Sequence, residues 1–173
     1  MYTSPISGII YFRVMIMKRN TKIFILAILL AETVGGLSVF LTRDGMRVFT
    51  EILAKPPLSP PPLLFPIVWC ILYSLLGIGS ARVWLTPQSP ERSRALNLYT
   101  AQLIVNFFWS LIFFNAQAFG FAFFWLLLLW LLVLLMILAF REVDPLSAWL
   151  QVPYLLWLTF AAYLNLGVWY LNT

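Results

Sequence analysis

Polar and aromatic side chains recur at helical spacing in one apolar stretch of this 173-residue chain. Residues three and four apart lie on the same face of a helix, so five of them form a single stripe: Tyr99, Gln102, Asn106, Trp109 and Phe113. Amides facing lipid are costly, which predicts that the stripe faces the interior of a helix bundle. The stripe offers ring faces for stacking together with amide donors and acceptors.

Two other apolar stretches carry residues of the same kind, which extends the candidate site to three helices. Trp69, Trp109 and Trp157 lie well inside their stretches, and this position favours a pocket over an anchoring role at the membrane surface. Asparagine and glutamine also hold membrane helices together, for about 0.6 kcal/mol each, without any ligand. Both interpretations stay open for the amides. The candidate ligand-binding residues are Trp69, Tyr73, Gln102, Asn106, Trp109, Trp157, Ala161 and Asn165.

Glu32 is the acidic residue that lies well inside an apolar stretch. An ionisable residue at such a depth is a candidate functional residue by default. The other interpretation is a protonated or hydrogen-bonded glutamate that only orders a contact between helices. The sequence does not choose between the two.

The composition excludes several kinds of site. The chain has no histidine and a single cysteine, Cys70, so the commonest ligands of metals and haem and the commonest general base are missing. We therefore predict no metal site, no catalytic residue and no required cofactor. The net charge of +5 comes from short basic runs between apolar stretches. Such runs are typical of topology signals and lipid contacts, and nucleic acid is not an expected partner.

The elements that must position these residues are five membrane-spanning helices. The chain is 62% hydrophobic and 10% charged, whereas soluble domains carry about 25% charged residues. A span needs about 20 apolar residues. The fold class is therefore an all-α integral membrane bundle, with helices predicted at about 23–41, 63–85, 95–116, 119–140 and 146–171. The fourth helix has no polar side chain apart from its two indoles and is expected to face lipid along much of its surface.

The ends and connections of the spans carry three further predictions. Residues 17–173 form one membrane domain, and residues 1–16 are a doubtful leader, because Met15 and Met17 offer alternative start codons. Residues 42–62 form the long connection, whose prolines favour a stiff polyproline segment. If the N-terminus is cytoplasmic, eight Lys and Arg residues lie on the cytoplasmic side and three on the opposite side. Because cytoplasmic loops carry the excess of basic residues, this bias predicts a cytoplasmic N-terminus. The three on the opposite side lie at the mouth of the candidate pocket: Arg43, Arg47 and Lys55.

Several motifs in order resemble the tryptophan-rich sensory protein family, which includes the translocator proteins. The first runs from Lys55 through the prolines to Phe65-Pro66-Ile67-Val68-Trp69 and Leu72-Tyr73. The second is Leu98-Tyr99-Thr100-Ala101-Gln102-Leu103 with Asn106, Trp109 and Phe113-Phe114. The third is Pro153-Tyr154-Leu155-Leu156-Trp157 with Phe160-Ala161 and Leu164-Asn165. The resemblance covers roughly residues 20–172.

The resemblance implies a five-helix bundle, usually a homodimer, that binds porphyrins and other flat apolar molecules between its helices. It places Trp69, Asn106, Trp109, Trp157 and Asn165 at the pocket under the first loop. Some bacterial members are reported to degrade porphyrin in light. This chain departs from the pattern at Leu166, which stands at an aromatic position implicated in that photochemistry and in the cholesterol motif. The cholesterol motif is incomplete, because no Lys or Arg follows Arg141.

We expect a plasma-membrane receptor that binds tetrapyrroles, and the sequence leaves open whether it also regulates or transports them. A porphyrin-degrading intramembrane enzyme is the first alternative, and Leu166 weakens it. A small proton-coupled transporter that uses Glu32 is the second, although the spans show no evident repeat of the kind that many transporters carry. A passive partner subunit without a ligand is the third.

Overall fold

Five helical spans build the protein, as the computed structural model shows for residues 5–172, with side chains described from Asn20 onward. The described chain contains no strand. The predicted five-helix membrane bundle is confirmed, since each of the five spans is long and apolar enough to cross a bilayer. The helices are α1 (Pro5–Glu51), α2 (Leu64–Trp84), α3 (Pro90–Ser110), α4 (Phe119–Val143), α5 (Pro145–Trp149) and α6 (Val152–Leu171).

The first helix is longer than the hydropathy pattern predicts. Its span, Asn20–Glu51, contains 32 residues, about 48 Å at 1.5 Å per residue, whereas the hydrocarbon core is about 30 Å thick. The prediction that the helix ends near residue 41 is therefore wrong. Arg43 and Arg47 belong to a helix that continues past the membrane, and the connection to α2 shortens to residues 52–63. The predicted leader falls on residues whose side chains are not described.

The connection between α1 and α2 turns, and the predicted stiff polyproline segment is wrong. Leu58 adopts a left-handed backbone conformation with φ 65°, and the Ser59 hydroxyl donates to the Pro56 carbonyl at 2.7 Å. The buried Pro56 packs on Gly167 of α6, where a Cβ atom would collide with the proline ring. We call residues 52–63 the first loop.

The third span ends in a π-helical turn, Leu111–Asn115, before a three-residue link to α4. The wider turn brings Phe113 and Phe114 into contact with Phe49 of α1, with ring centroids 5.7 and 5.6 Å apart. Gly45 of α1 approaches the Phe114 carbonyl so closely that no Cβ atom would fit. The third and fourth spans thus form a tight hairpin, and the π-turn fixes it against α1.

The fourth helix is only half exposed, so the expectation that it faces lipid along much of its surface needs a correction. Its outward side, including Phe121 and Phe124, is exposed, but Leu126, Leu129 and Val133 are fully buried. Both indoles bond to neighbouring helices: Trp125 donates to the Val105 carbonyl and Trp130 to the Thr159 hydroxyl. The α4 helix therefore packs between α3 and α6.

The last span begins at a capped turn that is also ion-paired. Asp144 accepts a hydrogen bond from the Ser147 amide, and Pro145 occupies the first helical position. The Arg82 guanidinium donates to both carboxylate oxygens of Asp144, at 2.7 and 3.0 Å. These hydrogen bonds lower the pKa of Asp144 below its usual range, partial burial opposes the shift, and Ser147 adds to the lowering.

Replacing Asp144 by alanine is expected to destabilise the fold by about 0.5–2 kcal/mol through the lost cap alone. A carboxyl group whose pKa is lower in the folded than in the unfolded protein stabilises the folded state at every pH above its unfolded pKa. For Asp the unfolded pKa is near 3.9. This stability is lost as the pH falls from there through the folded pKa. The unfolding midpoint of the wild type should therefore decrease as the pH is lowered from 7 to 3. The midpoint of Asp144→Ala should decrease less over the same range. Parallel curves would contradict the assignment.

Candidate functional site

Two clusters inside the bundle bring predicted residues together with residues that were not predicted. The central cluster lies between α2, α3 and α6 and comprises Trp69, Tyr73, Gln102, Asn106 and Tyr154. The end cluster lies beside the first loop and comprises Trp109, Phe113, Phe119 and Asn165. Gln102, Asn106 and Asn165 are at most 1% exposed. The amides therefore face the bundle interior.

The central cluster combines ring faces with hydrogen-bonding groups. The Trp69 ring lies 5.5 Å from that of Tyr73 and 6.1 Å from that of Tyr154. Asn106 donates to the Tyr73 hydroxyl at 3.0 Å, and the Tyr154 hydroxyl donates to the Gln102 side-chain oxygen at 3.2 Å. Among the residues that the structure describes, the Gln102 amide nitrogen has no hydrogen-bond partner, and it is buried. Because an unpaired buried donor costs about 1–3 kcal/mol, this group is the one best placed to bind an acceptor on a ligand.

The end cluster is held together by its own contacts. Trp109 stacks on Phe113 with ring centroids 5.2 Å apart and donates to the Asn165 side-chain oxygen at 3.3 Å. Asn165 in turn donates to the Phe119 carbonyl at 2.9 Å. Here the amide joins α3, α4 and α6, which is the structural role that the sequence left open.

Trp157 lies away from both clusters. Its ring packs against Phe65 and Phe160, at 6.0 and 5.7 Å, and it lines an apolar groove of about 420 Å³ between α2 and α6. Ile71 and Leu156 form the lipid-facing rim of this groove. Ala161 is buried one turn beyond Trp157. The Trp157 indole nitrogen is buried and has no partner in the described part of the chain, so it is a free donor beside this groove.

The first loop is tied to the C-terminal half of α6. The Tyr163 hydroxyl donates to the Pro57 carbonyl at 2.8 Å. Asn172 accepts from the Ala54 amide at 3.0 Å and donates to the Ala54 carbonyl at 2.9 Å. These residues and Tyr154 were absent from the predicted site. The spacing of three residues between Tyr154 and Trp157 is a signal that could have identified Tyr154.

The three cations at the predicted mouth are exposed and engaged within the chain. Arg47 pairs with Glu51 at 3.3 Å, and Arg43 lies 3.8 Å from Asp44. Lys55 donates to the Thr50 carbonyl at 2.7 Å. The cations therefore lie along the end of α1 and the start of the first loop.

Glu32 lies at the contact between α1 and α2 and not in either cluster. It accepts a hydrogen bond from the Ser74 hydroxyl at 2.9 Å. Ser74 is the central residue of α2 (Leu64–Trp84), which places the carboxyl near the middle of the bilayer. The Glu32 carboxylate thus links α1 to α2 through this hydrogen bond.

The contact between α1 and α2 depends on glycine. A Cβ atom at Gly77 would lie 2.5 Å from the Ile28 Cα atom, and one at Gly35 would collide with the Tyr73 ring. Gly36, by contrast, has open space where its Cβ would be. Gly35 therefore allows Tyr73 to reach the central cluster.

Comparison with known proteins places this arrangement in a family. Residues 25–171 match the TspO/MBR family. The translocator protein of Ovis aries is 39% identical over 132 residues, which is 75% of this chain and 78% of that protein. The translocator protein of Homo sapiens is 40% identical over 134 residues, 76% and 79% of the two chains.

A bacterial relative is similar over a comparable length. The tryptophan-rich sensory protein of Cereibacter sphaeroides is 36% identical over 120 residues, 69% of this chain and 74% of that protein. The family match spans all five helices, which agrees with the architecture described above. The chain is an integral multi-pass membrane protein that belongs to the TspO/MBR family.

Proposed function

We propose that the chain is a membrane receptor for a tetrapyrrole or a similarly flat apolar molecule. The observation that supports this best is the central cluster, where three aromatic rings adjoin a buried amide donor without a partner. A flat macrocycle stacks on such rings, and its polar groups accept from Gln102. Since the chain has no histidine, stacking and burial supply the affinity in place of the usual axial nitrogen.

The first loop acts as a lid in this proposal. It is held by the hydrogen bonds of Tyr163 and Asn172, all of which join it to α6. The side chains of the central cluster fill the space between their helices, so a ligand enters only when the lid and these side chains separate. Binding would then order the ligand in a site from which lipid and water are excluded.

A porphyrin titration tests the proposal. Purified protein in nanodiscs, kept in the dark, is titrated with protoporphyrin while tryptophan emission is followed, and empty nanodiscs give the partitioning background. We expect saturable quenching. Linear quenching that matches the background would contradict a receptor.

Repeating the titration in light tests the enzyme alternative, for which the Soret band would be lost faster than with free tryptophan. The exposed position of Leu166 gives that alternative no support.

Neutralising the three cations at the mouth is expected to weaken binding of a dicarboxylate porphyrin less than tenfold. Exposed ion pairs are worth about 0–1 kcal/mol, and Arg43, Arg47 and Lys55 already have partners in the chain. The triple glutamine variant should lose more affinity at low salt than at high salt. A porphyrin diester, which carries no carboxylate, is the control. An equal loss for the diester would remove the proposed role of charge.

Three further assignments belong to the same proposal. The basic bias places the N-terminus in the cytoplasm, the plasma membrane is the proposed location, and the protein is proposed to form a homodimer. Cysteines introduced next to Arg43 and Arg92 should be labelled from opposite sides of the membrane. Labelling of both from one side would overturn the orientation.

A further inference from the structure

A second cavity lies at the other end of α2, away from the first loop and both clusters. It occupies about 570 Å³ between the end of α2 and the start of α3. The lining residues that matter here are Trp84, Gln88, Ser89, Arg92, Ser93 and Leu96. Trp84 ends its span with its side chain 56% exposed, a position typical of the interface between lipid and water. The cavity therefore opens at the level of the lipid headgroups.

Arg92 is the charged group in the lining of this cavity. Its guanidinium carbon lies 4.9 Å above the centre of the Trp84 ring. The Arg92 Nε atom is buried and has no hydrogen-bond partner within residues 20–172. A cation–π contact compensates part of the charge, but it leaves the N–H donors in the plane of the guanidinium available. The arginine is thus held in place with an unused donor.

The acids near this face of the membrane are engaged elsewhere. Arg82 bonds Asp144, and Arg94 bonds Glu142. Within the part of the chain that the structure describes, Arg92 has no ion pair. Its neighbour Glu91 is exposed and does not line the cavity. The cavity is therefore positively charged and lacks a counter-ion from the protein.

We propose that this cavity binds the phosphodiester headgroup of an anionic phospholipid. A guanidinium fork matches two phosphate oxygens, and the Gln88 amide supplies a further donor. The exposed Trp84 ring and Leu96 provide apolar contact for the glycerol and the first part of the acyl chains. The inference rests on the membrane placement of the five spans and is independent of tetrapyrrole binding.

Native mass spectrometry tests the site directly. Wild-type protein in detergent is titrated with phosphatidylglycerol, and the population that retains one lipid gives an apparent dissociation constant. We expect this constant to rise about tenfold or more for Arg92→Gln, because hydrogen bonds to charged groups are the strong ones. Arg141→Gln is the matched control. It removes the same charge near the same face, but Arg141 is exposed and does not line the cavity.

Two more comparisons make each result decisive. Trp84→Leu should also weaken phosphatidylglycerol binding, since it releases the arginine, and it serves as the second variant if Arg92→Gln fails to fold. Phosphatidylcholine should bind more weakly than phosphatidylglycerol, and inorganic phosphate should displace neither. Equal losses for the variants of Arg92 and Arg141 would overturn the proposal, because they would indicate general surface charge. Displacement by inorganic phosphate would assign the site to a free anion and would also overturn it.

Discussion

Replacing Gly77 by alanine is expected to destabilise the bundle by about 1–3 kcal/mol. The new Cβ atom would lie 2.5 Å from the Ile28 Cα atom and 2.7 Å from its nitrogen. Both are backbone atoms, so no side-chain rotation relieves the overlap and α1 must move away from α2. The same movement would pull Glu32 from Ser74 and the Gly35 backbone from Tyr73. Unfolding in a denaturing detergent, followed by circular dichroism, measures the loss.

Gly36→Ala is the matched control for this contact. Gly36 lies on the same helix as Gly35, but its Cβ atom would enter open space. We expect the stability of this variant to equal or slightly exceed that of the wild type, since alanine favours helix more than glycine does. Equal losses for Gly77→Ala and Gly36→Ala would show that the close approach of α1 and α2 does not determine stability.

Replacing Trp69 by leucine is expected to lower the affinity for a porphyrin about 5- to 150-fold. The range follows from about 1–3 kcal/mol for aromatic stacking on a nucleic-acid base, applied here by analogy, with 1.4 kcal/mol for each factor of ten. Leucine keeps apolar bulk beside Tyr73 and Tyr154 but removes the ring face. The shift of the porphyrin Soret band on binding measures affinity without relying on tryptophan emission.

Trp157→Leu and Trp149→Leu complete the comparison with Trp69→Leu. Trp157 lines the groove between α2 and α6, so its loss should weaken binding within the same range if the ligand reaches that groove. Trp149 is 72% exposed on α5 and contacts neither cluster, so its loss should leave the affinity unchanged. If Trp149→Leu lowers the porphyrin affinity as much as Trp69→Leu does, with the helix content preserved in both variants, the proposed site is misplaced.

The spans were predictable from sequence because lipid imposes a strong and simple requirement. A segment of about 20 apolar residues satisfies its backbone only as a helix, and this fixed α2 and α4 to within a few residues. The end of α1 was not predictable in this way. Hydropathy falls where the membrane ends, near residue 41, but the backbone stays helical to Glu51 because the π-turn and Phe49 pack against it.

Which residues belong to the candidate site was partly predictable from the sequence. Which of them contact one another across helices was not. Helical spacing placed Gln102 and Asn106 on one interior face, where they are buried. Spacing on one helix does not specify which residues of another helix they meet. It therefore gave no indication that Asn165 bonds Trp109 or that Trp157 lies in a separate groove. The turn at Leu58 depends on contacts of the first loop with α6, which are distant in sequence.

Photocrosslinking tests the central claim most directly. A protoporphyrin that carries a diazirine on one propionate is bound in the dark, activated with a brief near-ultraviolet pulse in the absence of oxygen, and located by peptide mass spectrometry. We expect adducts on the interior faces of α2, α3 and α6, close to Trp69, Gln102 and Tyr154, and their loss in the presence of excess unlabelled protoporphyrin. Adducts confined to the lipid-facing side of α4, around Phe121 and Phe124, and unaffected by competitor, would contradict a binding site inside the bundle.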